Sequence, residues 1–420
     1  MTATTSRAVR RRVRHVHTAP AVLPTGALAE PLGEYLANDG FSFMGNGSDV
    51  IDVAAAVDLR GRGGAGFPLA RKLAAVAAQP DPVRVVVANG EEGEPGSVKD
   101  RTLLRLRPHL VLDGVQLAAR AVGAHIAYVY VSDDVSADVI RGALRERVTS
   151  VPIEVVTVPH TYVAGEESAV VRAIDGGPAM PTAKPPRAYE VGVGAHPTAV
   201  SNVETLAHLA LAANHGVAAY GRGSMLVTLA GADAEPALHE VGLGTPLRTV
   251  VETHLGRSEL GDVTDVLMGG LFGGLAGPEA LDLPLDTEAM RAAGTSLGCG
   301  SFYLLTDRDC AVDVVADAMA YLGRESSRQC GSCLKGTAAM ADAFAAIAGG
   351  RGTQDHLDGL GRWSITLVGR GNCALLDAAC SLTASLIARH ADTLSAHLHS
   401  ACPTCTARDE HADTRLRLQP

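Results

Sequence analysis

A glycine-rich segment near residue 60 contains the residue types that bind phosphate. Residues 59–68 read LRGRGGAGFP, with four glycines in six residues, and Lys72 follows. Closely spaced glycines let backbone N–H groups approach an anion, and Pro68 suits the first turn of a helix whose N-terminal dipole faces the same point. Arg62 and Lys72 add positive charge. The segment predicts a phosphate site, and an ordinary glycine-rich turn is the alternative.

Two acid-rich segments could bind the polar parts of a nucleotide. Residues 89–96 read NGEEGEPG and directly follow an apolar run at 83–88, while residues 162–169 read YVAGEESA. Carboxylates at the end of a strand could accept hydrogen bonds from a ribose or an amide, and Asn89 could bind the edge of a planar ring. Alone, each segment is also typical of a solvated turn or a helix N-terminus stabilised by acids.

The cysteines indicate a metal site. Eight cysteines in 420 residues are too few for a disulfide scaffold. Six of them fall between Cys330 and Cys405 inclusive, and this grouping favours a metal site in a reducing compartment. Cys330 and Cys333 form a CxxC pair, and Cys402 and Cys405 form a second. Thiolates at this spacing bind zinc or iron. From spacing alone these four would hold zinc, and three cysteines in apolar surroundings are interpreted as buried core thiols: Cys299, Cys310 and Cys380.

The elements that must position these residues fall into three patterns. Between about 50 and 213, apolar strands at 83–88 and 126–131 alternate with helical patterns at 69–78 and 112–122, which predicts an α/β fold with a mostly parallel sheet. Ligands usually bind at the loops that leave such strands. Short strands at 225–230, 238–241, 266–268 and 302–305, with one helix opened by Thr245 and Pro246, predict a small β-grasp-like insert. Helical patterns at 310–321, 333–348 and 374–397 predict a bundle that carries the cysteines.

Composition excludes some partners. With 36 basic and 46 acidic residues, the net charge of -10 provides no field for nucleic acid. The longest charge-free apolar stretch, 205–221, has 17 residues and is too short for a membrane span. Five arginines in the first twenty residues, without an apolar signal region, predict a solvated basic tail. We therefore expect a soluble, cytoplasmic protein, with any membrane association made through partner subunits.

Together with residues 196–206, HPTAVSNVETL, the three loops resemble the NADH-binding flavoprotein subunit of respiratory complex I, also called the F or 51 kDa subunit, and its relatives in NAD-linked hydrogenases and formate dehydrogenases. The resemblance covers roughly residues 59–379. It implies a basic tail at 1–20, an FMN- and NADH-binding α/β domain at 21–220, and a ubiquitin-like β-grasp (SLBB-like) domain at 221–305. A helical iron-sulfur domain at 306–405 and a tail at 406–420 complete the predicted organisation.

The resemblance also implies the ligand contacts. FMN would be bound by Gly61, Arg62, Gly63, Gly64, Lys72, Asn89, Ser201, Asn202 and Thr205. NADH would be bound by Glu92, Glu94, Tyr162, Glu166, Glu167 and Lys184, with Phe67 stacking on adenine. Four places depart from the family pattern: Leu69-Ala70 replaces Thr-Gly, Glu91 replaces Asp, Ser201 replaces Asn, and the usual aromatic residue after Lys72 is absent, with Ala75 near its place.

The largest departure is in the iron-sulfur motif. The family run is ESCGxCxPCRxG with a later Cys-Ala-Leu segment, whereas residues 325–336 read ESSRQCGSCLKG and Cys373 begins the later segment. Cys330, Cys333 and Cys373 match three ligands of a [4Fe-4S] cluster, and Ser327 occupies the place of the first. Because oxygen is harder and more basic than thiolate, the cluster would be shifted in potential or degraded to [3Fe-4S]. Cys402 or Cys405 could supply the ligand instead.

The resemblance implies an NADH dehydrogenase of the quinone-acceptor type, in which NADH delivers a hydride to FMN and single electrons pass to the cluster. The next acceptor would be a thioredoxin-like [2Fe-2S] subunit or a ferredoxin. No protein acid or base is needed for hydride transfer, so no catalytic side chain is expected. Two alternatives remain open: a cluster-deficient NADH-dependent flavin reductase or diaphorase, and a zinc-stabilised scaffold subunit without turnover.

Overall fold

The computed structural model describes residues 7–8, 10–16, 20–24, 29–40, 42–406, 416 and 418–419. The strands are β1 (Arg7–Ala8), β2 (Arg10–Val16), β3 (Val85–Asn89), β4 (Ile126–Val131), β5 (Ile153–Thr157), β6 (Thr198–Asn202), β7 (Ser224–Gly231), β8 (Ala234–Gly242), β9 (Val263–Leu267), β10 (Leu275–Ala276), β11 (Ser301–Thr306) and β12 (Leu418–Gln419).

The helices of the first part of the chain are α1 (Leu32–Asn38), α2 (Gly47–Ala56), α3 (Leu69–Ala77), α4 (Lys99–Leu106), α5 (Pro108–Val122), α6 (Asp134–Arg145), α7 (Glu167–Ile174), α8 (Val203–His215) and α9 (Val217–Tyr220). They are followed by α10 (Leu247–Leu255), α11 (Thr287–Ala292), α12 (Ala311–Glu325), α13 (Gly331–Ala348), α14 (Gln354–Thr366), α15 (Leu375–Arg389), α16 (Ala391–His397) and α17 (Pro403–Thr406).

A four-stranded parallel sheet in the order β5-β4-β3-β6 forms the centre of the α/β region. The β3 strand is apolar and buried up to its last residue, as expected for a parallel strand covered on both faces. Helices α5 and α8 pack against each other beside it. In the register of the sheet, Asn89 lies opposite Tyr130 on one neighbour and Asn202 on the other. The ends of β3 and β6 therefore deliver two predicted ligand residues to one edge.

A second, mixed sheet has the order β10-β9-β11-β7-β8-β2 and its own apolar core. The β7–β8 hairpin is antiparallel and β11 runs parallel to β7, with α10 packed against β8. Ala232 and Asp233, at the hairpin turn, have φ values of 50° and 53°, as a two-residue type I′ turn requires. This arrangement confirms the predicted second sheet with one covering helix.

The predicted basic tail at 1–20 contains structure: β2 pairs in parallel with β8 at the edge of the second sheet. An edge position needs only the backbone groups that β8 leaves free, and edge strands tolerate charged residues. The predicted tail at 406–420 lies mostly outside the described residues, but β12 pairs in parallel with β1.

The C-terminal region is helical, and its core is continuous with that of the α/β region. The helix predicted at 374–397 is two helices, α15 and α16, because His390 leaves the helical conformation with φ -126° and ψ 36°. Helix α14 was not predicted from the sequence. Among the described residues, no helix combines the length and apolar character needed to cross a membrane.

Candidate functional site

The glycine-rich loop lies against the N-terminus of α8. Gly64 and Gly66 have φ values of 115° and 62°, a region that favours glycine, so the loop turns without side chains in the way. The Arg62 backbone N–H donates to Thr205 Oγ1 at 2.8 Å, and Arg62 Nη2 donates to Ser224 O at 3.1 Å. The Arg62 side chain is buried, yet its Nε has no hydrogen-bond partner among the described residues. A buried donor without a partner favours an anion here.

A cavity of about 130 Å³ opens beside this loop, where the α/β region faces the second sheet. Its lining combines the loop with the second region: Gly61, Arg62, Gly64, Ala65, Gly66, Met225, Thr287, Arg291, Thr295, Ser296, Leu297 and Gly298. Arg291 and the Thr295–Gly298 segment were not predicted as site residues, since they are more than 200 positions away in the sequence.

Lys72 connects the two predicted ligand sets. Its Nζ donates to Val200 O at 2.6 Å and lies 3.3 Å from Glu167 Oε1. Asn89 Nδ2 donates to Gly165 O at 2.8 Å, so the ends of β3 and the Tyr162 loop are also joined. These contacts join one predicted FMN residue, Lys72, to one predicted NADH residue, Glu167, and tie the end of β3 to the loop before α7.

A buried charge network below this edge was not predicted. Lys99 Nζ lies 2.6 Å from Asp100 Oδ1 and 2.9 Å from Glu204 Oε2, and Asn202 Nδ2 donates to Asp100 Oδ2 at 2.7 Å. Burial raises the pKa of Asp100 to about 7. Burial also opposes ionisation of Glu204, but Lys99 and His208 outweigh it and lower its pKa to about 2. The network fixes the orientation of Asn202 beside the glycine-rich loop.

The two predicted NADH carboxylates of the acidic loop have different environments. Glu92 accepts hydrogen bonds from Ser97 Oγ at 2.5 Å, from Asp100 N at 3.1 Å and from Arg101 Nε at 3.1 Å. It therefore holds the first turn of α4. Glu94 accepts one described hydrogen bond, from Leu271 N at 3.3 Å, and burial raises its pKa to about 8. Of these two carboxyl groups, Glu94 is the one that can still accept hydrogen bonds from a ligand.

Tyr162 lies beside Glu94 in an aromatic group. Its ring stacks on Phe272 at 5.9 Å between centroids and meets Tyr321 edge-on at 5.8 Å. The Tyr162 hydroxyl is buried with no hydrogen-bond partner in the described part of the chain. Its pKa is raised mainly by burial and, to a smaller extent, by the nearby Glu94 carboxylate. Phe272 is partly exposed and was not predicted from the sequence, because no local motif surrounds it.

The remaining predicted NADH residues lie at the start of α7 and on the surface. Glu166 accepts from Ser168 N at 3.0 Å as the N-cap of α7 and forms an ion pair with Lys184. Phe67 is 45% exposed, and the Arg71 guanidinium lies 5.6 Å from its ring centroid. An exposed aromatic ring is available for stacking on a base.

The cysteines predicted to hold the cluster lie at two helix N-termini. Cys330 is the N-cap residue of α13, Cys333 lies in its first turn, and Cys373 precedes α15. Burial opposes ionisation of Cys330, but backbone N–H groups of Asn372 and Cys333 outweigh it and lower its pKa. Burial raises the pKa of Cys373 to about 11. Ser326 Oγ, from the neighbour of the predicted ligand Ser327, lies 3.0 Å from Cys333 Sγ.

The second CxxC pair has a different neighbourhood. The structure brings Cys402 and Cys405 to Cys310 and His397, with all four ligand atoms within 4.8 Å of one another. Among the described residues, Cys402 and Cys405 are therefore grouped with Cys310 and His397, and not with Cys330 and Cys333 as spacing alone predicted. Cys310, interpreted as a core thiol, is indeed buried, but it belongs to this group.

Comparison with known proteins agrees with this geometry. Residues 54–211 match the Nuo51 FMN-binding domain, and residues 313–397 match the NADH-ubiquinone oxidoreductase-F iron-sulfur binding region. The F subunit of the NADH-quinone oxidoreductase of Mycobacterium tuberculosis is 30% identical over 385 residues, covering 84% of this chain and 86% of the relative. The chain belongs to the family of NADH-quinone oxidoreductase F subunits. One of its members in Rhizobium meliloti, the F 2 subunit, is 29% identical over 401 residues, covering 90% and 93%.

A solved member of a related assembly has the same fold. A chain of an air-oxidized NAD⁺-reducing [NiFe]-hydrogenase superposes with a TM-score of 0.78 at 31% identity, covering 93% of this chain and 70% of that one. The present chain, as a member of the F-subunit family, has an FMN-binding domain and an iron-sulfur binding region. The residues present fit FMN, because the loop has no side chains at Gly64 and Gly66 and buries an unpartnered Arg62 Nε. They fit an iron-sulfur cluster through three thiols at two helix N-termini.

Proposed function

We propose that this protein is the electron-input flavoprotein of an NADH:acceptor oxidoreductase of the quinone type. Bound FMN would supply the chemistry of accepting a hydride and releasing single electrons. The loop N–H groups of Gly63 and Gly64, together with Arg62 and Lys72, would hold its phosphate, and Gly61, whose N–H donates to Phe67 O at 2.9 Å, would shape the loop. Asn89, Ser201, Asn202 and Thr205, at the carboxyl edge of the sheet, would orient it.

The observation that carries the nicotinamide nucleotide site is the pairing of Glu94 with Tyr162. Both polar groups are withdrawn from water, Glu94 accepts one described hydrogen bond, and the Tyr162 hydroxyl has no partner among the described residues. Polar groups of this kind are normally satisfied, so a ligand with hydroxyl groups fits them. Glu166, Glu167 and Lys184 would bind the same nucleotide, and Phe67 would stack on its adenine, with Glu92 supporting the loop from behind.

The electrons would leave through a cluster held by Cys330, Cys333 and Cys373, with Ser327 at the fourth position. Glu325 Oε2 accepts a hydrogen bond from Tyr162 N at 2.8 Å, and Gln329 Nε2 donates to Pro181 O at 2.9 Å. The cluster segment, residues 325–333, is thus hydrogen-bonded to the proposed nucleotide-binding loops. This direct packing supports transfer from the flavin to the cluster, then to a thioredoxin-like [2Fe-2S] protein or a ferredoxin. Further subunits of a quinone-type assembly would place the protein at the periphery of a membrane.

Steady-state oxidation of NADH with ferricyanide tests the nucleotide site. Glu94→Gln keeps the size of the side chain but replaces the carboxyl group by an amide, so we expect KM for NADH to rise with little change in thermal stability near neutral pH. Glu154→Gln, at an exposed position on β5, is the matched control and should leave KM unchanged. Equal KM values in Glu94→Gln and Glu154→Gln would exclude Glu94 from the site.

A further inference from the structure

Four potential metal ligands from separate segments meet at the end of the helical region. Cys310 is the N-cap residue of α12, His397 is the last residue of α16, and Cys402 and Cys405 flank the start of α17. Their ligand atoms all lie within 4.8 Å of one another. Cys310, Cys402 and Cys405 lie outside residues 313–397, the stretch matched by the iron-sulfur family model.

We propose that Cys310, His397, Cys402 and Cys405 form a structural zinc site, separate from the iron-sulfur cluster. The distances support a single ion. Tetrahedral zinc, with Zn–S of about 2.3 Å and Zn–N of about 2.0 Å, requires sulfur-to-nitrogen separations of about 3.5 Å. His397 Nε2 lies 3.7 Å from Cys310 Sγ and 3.4 Å from Cys405 Sγ. A [4Fe-4S] cluster binds each thiolate through a different iron and needs a wider ligand set.

The histidine is oriented for metal binding. Its Nδ1 lies 2.7 Å from the backbone carbonyl oxygen of Thr393, so Nδ1–H donates there and the Nε2 lone pair points towards the sulfurs. Metal-binding histidines commonly make this second contact, which fixes the tautomer and the ring. His397 is 2% exposed, so the orientation is also held by packing.

The chemistry and burial of the set favour zinc in a structural role. Three soft sulfurs and one imidazole are a ligand set typical of structural Zn²⁺. Cys310 and Cys405 are buried, and Cys405 N donates to Cys402 Sγ at 3.5 Å, a contact that stabilises a thiolate. Four protein ligands leave no open position for water or substrate. The ion would fasten the segment after α16 to the N-terminus of α12.

Metal analysis of the anaerobically purified full chain tests the proposal. We expect about one zinc per chain in the wild type, in addition to iron. Cys405→Ser should lose the zinc while it retains FMN and iron, because the other cofactor sites lie elsewhere. His397→Cys should keep the zinc, since four thiolates also bind it. Cys380→Ser removes a buried thiol of the same helical region that is outside the group, and it should keep the zinc as well.

A second measurement applies even if Cys405→Ser does not fold. Cobalt exchanged into the wild-type protein should give the intense thiolate charge-transfer and tetrahedral ligand-field absorption of a Cys₃His site, and His397→Cys should shift these bands. Wild-type protein with iron and FMN but without zinc would overturn the proposal. So would a disulfide between Cys310 and Cys405 found by mass spectrometry, or loss of iron rather than zinc from Cys405→Ser. Loss of FMN or iron from every protein, with zinc retained, would instead contradict the proposed electron-input function.

Discussion

Lys72 Nζ lies 3.3 Å from Glu167 Oε1, so a residue proposed to bind the flavin phosphate forms an ion pair with one proposed to bind the nicotinamide nucleotide. Both side chains are partly buried. A bound phosphate would compete with Glu167 for the Lys72 ammonium group. If both proposed assignments hold, this ion pair would couple the two ligand sites electrostatically.

Lys72→Ala should weaken FMN binding. Loss of one charge-assisted contact to a phosphate costs about 1.5–3 kcal/mol, which corresponds to roughly a tenfold to hundredfold rise in Kd. Titration of flavin-depleted protein with FMN, followed by flavin fluorescence, measures the change. Arg141→Ala removes an exposed positive charge from α6 and serves as the control. An unchanged Kd for Lys72→Ala would show that the phosphate lies elsewhere.

Glu94 should make the stability of the ligand-free protein depend on pH. Burial raises its pKa from 4.5 to about 8 in the folded state, so between these values the folded state binds more protons than the unfolded state. Its contribution to the free energy of unfolding is full below about pH 4.5 and is lost as the pH rises through about 8. The wild type should lose more thermal stability than Glu94→Gln across this window. Parallel Tm curves for the two proteins would contradict this assignment.

The nucleotide loops could be predicted from sequence because their residues are close together and follow apolar runs such as 83–88. The zinc group could not, since Cys310 and His397 are 87 positions apart and only the packing of α12 against the last helices joins them. The hydrogen bonds that Glu92 accepts from the first turn of α4 could not be predicted from sequence either, because a carboxylate at that position would suit a ligand equally well. Local spacing predicts local chemistry, whereas the choice of partner depends on tertiary contacts.

Arg328→Gly should stabilise the cluster segment. Arg328 has a φ of 53° and stands where the family run has glycine, so a side chain occupies a left-handed conformation that costs about 1–2 kcal/mol. Arg328→Ala removes the same charge without relieving the backbone and is the matched control. Thermal unfolding should give a higher Tm for Arg328→Gly than for Arg328→Ala. If the two Tm values coincide, this backbone conformation is not strained in solution.

Ser327→Cys should strengthen the iron-sulfur cluster against air. If a serine oxygen or solvent binds the fourth iron, that corner is the weak one, because oxygen suits iron-sulfur chemistry less well than thiolate. Oxidation of the wild type should then remove one iron and give the electron paramagnetic resonance signal of a three-iron cluster. Ser327→Cys should retain four irons under the same exposure.

Ser326→Cys distinguishes the two neighbouring serines. Ser326 Oγ lies 3.0 Å from Cys333 Sγ, which places its hydroxyl beside a predicted cluster ligand. Iron counting and resonance spectra on both single variants decide between them. If Ser326→Cys protects the four-iron cluster and Ser327→Cys behaves as wild type, position 326 supplies the fourth ligand. If neither variant changes the cluster and Cys402→Ser destroys it, the ligand comes from the C-terminal pair, and both serine assignments fail.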